Sequence, residues 1–396
     1  MRNAPLVVIA ALIAACSSSG PPSASLAVSS PTPTATTAAS ATATAAPASP
    51  TGRVLPPGIT DLAQVFKPLA SGWRPTGTTL VVARAMISGD ITLVAVPLGP
   101  RGAAGAPIPI VSFVPDTWAL RADGGALALA VWTGQGGRIA IWDVRSGAAR
   151  WLTPDEPGTS AFSPLWSNDG SSLYYASSSD DGRTSALFQI GADGSGTKQI
   201  RAAVEFSSGP QGLTPDGKGL VWSGGGAGGT VEILDLASGV SRHIENNARV
   251  QSWRARQPRA LVSVGGCCAG RPGGELVLWD DVAMTSRVVA ARGPAGDPAW
   301  GGGAWDSAGA RIVAGRFDLT SPYEAGLIVI DAVSGASQPI PDTRGVGYVL
   351  WPSEGIVFTR PLRIGVEVML LPDGVGPAVS VYQDSGLIQR IEVIRP

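Results

Sequence analysis

Pro164-Leu165-Trp166-Ser167-Asn168-Asp169-Gly170-Ser171-Ser172-Leu173 decides how the rest of the chain is read. A Trp closes an apolar run, a polar turn with Asp-Gly follows, and an aliphatic residue stands seven places after the Trp. That is the pattern of two β-strands joined by a tight turn, in which glycine accepts the positive φ. The spacing recurs from Trp73 to Leu80, Leu120 to Leu127 (with Trp118 two residues earlier), Leu213 to Leu220, Trp305 to Ile312 and Trp351 to Phe358. From Trp253 to Leu261 it is one residue longer and lacks Asp-Gly. The anchors Trp73, Leu120, Trp166, Leu213, Trp253, Trp305 and Trp351 fall roughly 40 to 52 residues apart, a blade-length period.

Each unit repeats further elements. A short apolar strand follows the anchor, as in Leu127 to Trp132 or Leu261 to Val264. A Gly-rich loop leads to a second apolar strand, such as Arg138 to Trp142 or Glu275 to Trp279. A Ser-Gly or Asp-Gly turn then leads to a shorter outer strand. With the strand entering the anchor, each unit has four strands. Four-stranded meanders repeated seven times predict an all-β chain folded as one β-propeller, whose radial closure protects the sheet edges. Six or eight blades follow if a unit is misread. Residues 388–394 and 61–66 both read as extra strands, and one of them closes the propeller.

Pro164 to Ser177, followed by Leu187 to Gly194, resembles the WD40-like repeat of TolB-type propellers. Ile141-Trp142-Asp143 and Leu278-Trp279-Asp280 resemble the end of a WD40 repeat. The resemblance implies an envelope-associated interaction module. True WD40 repeats use a Gly-His pair and an Asp–His relay in each blade, whereas this chain has a single histidine, His243. The blades must therefore be held by packing of their Trp and aliphatic anchors.

The N-terminal residues carry a different signal. Arg2 is followed by an apolar run from Ala4 to Ala15, the length of a signal-peptide core and too short to span a bilayer. Leu12-Ile13-Ala14-Ala15-Cys16 resembles the lipobox of bacterial lipoproteins, which implies a signal peptide over 1–15 and a diacylglycerol on Cys16. Two or three acyl chains, at roughly 0.8 kcal/mol per buried CH₂, hold a protein stably on a membrane. After Cys16, Ser, Thr, Pro, Ala and Gly dominate up to Pro50, and no charge occurs between Arg2 and Arg53. Such a segment buries too little apolar surface to offset its ordering entropy, so 16–57 reads as a lipidated, disordered stalk and 58–396 as the propeller. The expected location is extracytoplasmic, tied to the membrane through Cys16.

Composition narrows the partners. Net charge is −1. The sequence has no cluster of lysines and arginines, so nucleic acid is not an expected partner. No later apolar run is long enough for a membrane helix. Catalytic chemistry has few carriers: His243 stands in an expected outer strand, and no Gly-x-Ser-x-Gly elbow is present. Cys267-Cys268 lies in the loop from Gly265 to Gly274. In an exported chain it forms either a vicinal disulfide or two free thiols, and it lacks zinc-ligand spacing. Asp180-Asp181-Gly182 and Asp193-Gly194 read as hairpin turns rather than calcium loops. No cofactor, metal or catalytic residue is expected. The expected function is a surface-tethered module that binds an envelope or extracellular protein. The alternative is a sugar or small-ligand binder, or a lyase-like enzyme, using the central funnel. Carboxylates gathered with Arg or Tyr at the funnel favour the alternative, and an apolar or aromatic loop face favours protein docking.

Overall fold

Regular structure in the described residues is all β, with no α-helix among them. The computed structural model describes residue 62 and residues 67–395, less 71, 86–90, 115–116, 134–135, 157, 180–181, 206–208, 225–229, 247, 266–273, 292–298, 318–325, 344–346, 373 and 375. The chain divides into Met1–Ser49, which lies outside the described residues, and Pro50–Pro396, which forms seven antiparallel sheets in a ring.

Blade three shows the plan. Thr159–Trp166 forms the inner strand, followed outward by Ser172–Ser179, Thr184–Gly191 and Lys198–Glu205. Inner strands of adjacent blades touch. Side chains of a strand alternate between its faces. Leu173 and Tyr175 pack toward blade two with Ala128 and Ile141, while Tyr174 and Ala176 pack toward blade four with Leu220 and Trp222. Both faces of each sheet are thus buried against neighbouring sheets. That is why the second strands read as continuous apolar runs and not as alternation.

Blades two to seven take their inner strands in sequence from Trp118–Leu120, Thr159–Trp166, Gly209–Leu213, Ala248–Trp253, Ala299–Trp305 and Val349–Leu350. Blade one differs. Its inner strand is the C-terminal Leu387–Ile394, antiparallel to Thr79–Ala85 with Ile394 opposite Thr79. Ile91–Gly99 and Ile108–Val114 follow outward, and Lys67–Pro68 adds a further edge strand. Of the two terminal segments, the C-terminal one therefore closes the propeller. Residues 61 and 63–66 lie outside the described residues. Ile394 ends its strand as Trp166 ends its own (Trp166 pairs with Leu173). Trp73 stands in the stretch before Thr79–Ala85, 9% exposed, packed in one cluster with Ile394, Trp118 and Trp142.

The turns between third and fourth strands share a carboxylate cap. Asp143 Oδ1 accepts hydrogen bonds from the Arg145 and Ser146 amides and the Ser146 hydroxyl. Asp235 and Asp331 do the same with Ser238 and Ser334, and Asp280 with the Val282 and Ala283 amides. Donation by those amides holds all four carboxyls below their ordinary value. In blade three's first turn the hydroxyl of Ser167, joined by the amide and hydroxyl of Ser171, brings Asp169 down to about 2. Such groups bind fewer protons folded than unfolded, so their contribution is present above about pH 4 and is lost as pH falls toward about 2. The melting temperature is expected to fall over that window, and a flat acid profile in calorimetry would contradict the capping account.

Arginines join one blade to the next. Five guanidinium groups stack on a tryptophan of the following blade: Arg390 on Trp118, Arg121 on Trp166, Arg201 on Trp222, Arg254 on Trp305 and Arg311 on Trp351, at 4.1–5.7 Å. Each contact adds roughly 0.5–1 kcal/mol at an exposed site. A second set leaves the outer strands. Arg150 donates to the Ala192 and Asp193 carbonyls and Arg287 to those of Ala332 and Val333. Arg242 pairs with Asp281 at 2.8 Å, and Arg201 with Glu232 at 3.2 Å. No histidine takes part. His243 lies exposed on the outer strand Ser241–Asn246, opposite Glu232.

Candidate functional site

Antiparallel order puts the turns after first and third strands on one face of the propeller. The connections after second and fourth strands lie on the other, here called the loop face. On the loop face of blade seven the turns 362–365 and 385–386 are described, while 86–90 and 115–116 of blade one lie outside the described residues. Gly355–Pro361 and Val366–Pro372 end there in the turn 362–365, and the outer strand Val379–Asp384 turns there into Leu387–Ile394. Two polar networks fasten this seam. Arg84 pairs with Asp384 at 3.0 Å, and Asp384 accepts the Tyr382 hydroxyl at 2.7 Å and the Gly386 amide at 2.7 Å. Burial, then the bond to Asp384, pushes the Tyr382 hydroxyl well above the ordinary phenol range. Arg360 pairs with Glu367 at 2.6 Å, and Gln383 donates to Glu367 at 2.7 Å. Burial would raise the Glu367 carboxyl, but hydrogen bonds from Ser380, Gln383 and Arg360 outweigh it and the net shift is downward.

Around this fastened seam stand large apolar side chains in solvent. Leu362 and Ile364 occupy the turn of blade seven, Leu387 begins the closing strand, and Tyr348 precedes the inner strand of blade seven. Ile364 is 76% exposed. Tyr348 is held to the blade by its amide donating to Thr359 Oγ1 at 2.9 Å. Nearer the axis, Arg390 donates to the Trp118 carbonyl at 2.8 Å and pairs with Glu392. Burial raises the Glu392 carboxyl, and Arg390 opposes it. Arg249 and Arg390 lie close enough to pull the Tyr348 hydroxyl down, although burial leaves it raised overall.

On the opposite face two clefts open between blades. One of about 620 Å³ lies between blades six and seven, lined by Arg311, Gln338, Asp342 and Pro377 among others. One of about 370 Å³ lies between blades five and six, lined by Arg254, Arg259, Arg287, Trp279 and Trp305 among others. Sequence reading attached no role to the scattered arginines and so missed their gathering here.

The residues singled out from sequence fall as follows. Trp166 and Trp305 are buried ends of inner strands, while Leu120, Leu213, Trp253 and Trp351 are half-buried. These anchors line blade interfaces and form no site together. Cys16, Cys267 and Cys268 lie outside the described residues; the strands flanking Cys267-Cys268 pair Val264 with Glu275 at the loop-face end of blade five. Among the described residues no group of three or more His, Cys, Asp or Glu is placed to hold a metal ion. No described helix is long and apolar enough to cross a membrane.

No family model and no curated protein matches the chain. Its structure is similar to that of a puromycin-hydrolysing peptidase of Mycobacterium tuberculosis, with TM-score 0.55 and 14% identity, over 83% of this chain and 56% of that one. The chain thus spans just over half of the peptidase's length. It is similar also to a putative 6-phosphogluconolactonase of Bacteroides fragilis, with TM-score 0.52 and 12% identity, over 81% of this chain and 98% of that one. TolB of Acinetobacter baumannii overlays more loosely, with TM-score 0.41 and 15% identity, over 69% of this chain and 66% of that one. At such identities the likeness shows the propeller fold alone, which hosts many unrelated functions.

Proposed function

We propose that this chain is a membrane-tethered binding module, held by lipid on Cys16, whose propeller docks a protein partner of the cell envelope on its loop face. One observation carries the docking reading: Tyr348, Leu362, Ile364 and Leu387 expose apolar surface around the seam of blades seven and one. Exposed apolar residues gathered on a rigid frame mark interaction surfaces, whereas scattered ones mark nothing. The networks of Asp384 and Glu367 supply that rigidity and leave their own carboxylates spent. Ile364→Glu combined with Leu387→Glu is expected to abolish partner recovery in crosslinking and pull-down from intact cells without changing the melting temperature. Undiminished recovery would remove this face from the reading.

The tether rests on Ile13-Ala14-Ala15-Cys16 and has its own test. Cys16→Ser is expected to release the protein from membranes or to leave an unprocessed precursor. Normal processing with unchanged membrane partition would rule the lipid anchor out.

A second reading keeps a sugar or other small ligand in the central funnel. Arg390, Glu392, Arg249 and Tyr348 near the axis support it, because carboxylate, arginine and phenol are the groups that hold such ligands. Glu392→Gln separates the two: it weakens funnel binding in calorimetry and leaves partner docking at the seam intact.

A further inference from the structure

We propose that the cleft between blades five and six binds the oxyanion of a small organic acid whose body is apolar. Its volume, about 370 Å³, lies in the range of small-molecule sites and suits on the order of a dozen non-hydrogen atoms. The walls are Trp279, Trp305, Leu278 and Val333, and three arginines, Arg254, Arg259 and Arg287, enter it. Among the described residues one carboxylate, Asp280, lines the cleft, and it is spent: Arg259 pairs with it at 3.0 Å and its own turn donates two amides. Arg254 and Arg287 form no ion pair with any described carboxylate. Arg254 lies over Trp305 with its Nε–H unpartnered, and Arg287 spends its donors on the neutral carbonyls of Ala332 and Val333. Asp331 is the next carboxylate toward Arg287, and it caps its own turn.

The two indoles of the wall are buried. Trp279 and Trp305 are 5% and 6% exposed, and neither indole N–H has a partner among the described residues, as is also the case for Trp142, Trp222 and Trp253 outside the cleft. At the place of Trp305, the end of an inner strand, blade three differs: Trp166 Nε1 donates to the Ala119 carbonyl of the preceding blade at 3.0 Å. A ligand oxyanion supplies the negative charge that the arginines of the cleft lack. The cleft also opens beside the first turn of blade five, where Arg256 sits at a φ of 57° although Trp253 pairs with Ala260 at the spacing of the other blades. Departures from a local rule concentrate where function needs them.

The test is calorimetric titration of the purified full chain with phenylacetate, phenyl phosphate and, as neutral control, benzyl alcohol, with tryptophan fluorescence read in parallel. At least one anion is expected to bind and perturb the fluorescence, and benzyl alcohol is not. A stronger response to phenylacetate assigns a carboxylate ligand, and the reverse order assigns a phosphate. Arg287→Met is expected to weaken binding by at least about tenfold. Arg150→Met, which removes the equivalent contact between blades two and three, is expected to leave it unchanged. Far-UV circular dichroism of both variants guards against loss of fold, and Arg259→Gln is the second cleft variant if Arg287→Met does not fold. Absence of binding by either anion, equal binding of benzyl alcohol, or binding indifferent to the folded cleft variant overturns the proposal.

Discussion

Trp166→Ala is expected to lower the unfolding free energy by about 3–5 kcal/mol, as other large-to-small core changes do. Three things are lost together. The side chain is 6% exposed and packed with Ala119, Ile141 and Leu173. Its indole N–H donates to the Ala119 carbonyl, and that acceptor would be left buried. The Arg121 guanidinium, stacked over it at 5.7 Å, loses its support. Each loss falls on the interface of blades two and three, so the effect is one of ring cohesion and not of one hairpin. His243→Ala is the control. It is exposed on an outer strand, and its change stays within about 0.5 kcal/mol. Denaturant unfolding of both variants decides the matter. A neutral Trp166→Ala, or a more damaging His243→Ala, would mean that the blades are not held by their anchors.

Removing residues 387–396 is expected to do more and abolish cooperative folding. Leu387–Ile394 is the inner strand of blade one, and its loss strips a full ladder from Thr79–Ala85. It also uncovers Leu80, Val82 and Val357, which pack in one cluster with Ile391. The Arg390 contacts to Trp118 go with it, so blade one loses its hold on blade two. An open edge of apolar strand beside a broken seam is a template for aggregation. The truncated chain is expected to show no sharp thermal transition and to aggregate, and a synthetic peptide of 387–396 added during refolding is expected to restore part of the soluble, cooperatively melting form. A truncated chain that melts cooperatively near the full-length temperature would contradict closure by this strand.

Blade number and strand order were legible because they rest on local chemistry. Asp169-Gly170 and its counterparts force turns at a fixed distance from an anchor, and that distance survives without any knowledge of neighbours. The closing strand was not legible. Residues 388–394 and 61–66 have the same apolar texture, and only pairing across more than three hundred residues distinguishes them. The stacks of Arg121 on Trp166 and Arg254 on Trp305 hid for the same reason, since each links different blades. The outer arginines were within reach. Arg150, Arg242 and Arg287 each stand seven residues after a capping aspartate, Asp143, Asp235 and Asp280. Gln338 breaks the series after Asp331, and reading the turns only as Ser-Gly or Asp-Gly pairs concealed the rest. The extra residue read between Trp253 and Leu261 is not there: Trp253 pairs with Ala260, seven places on as Trp166 pairs with Leu173, so turn length left no trace of the cleft. Nor could the exposure of Ile364 and Leu387 be read, because apolar residues at strand ends look alike whether covered or bare.

Site-specific photo-crosslinking in intact cells tests the docking account most directly. A photoreactive residue at Ile364, on the loop face, is compared with one at Val240, which is exposed in the third turn of blade four on the opposite face. Discrete protein adducts from position 364, absent from position 240 and lost on Cys16→Ser, are the predicted result. No adduct at 364, or the same adducts from both positions, would contradict it.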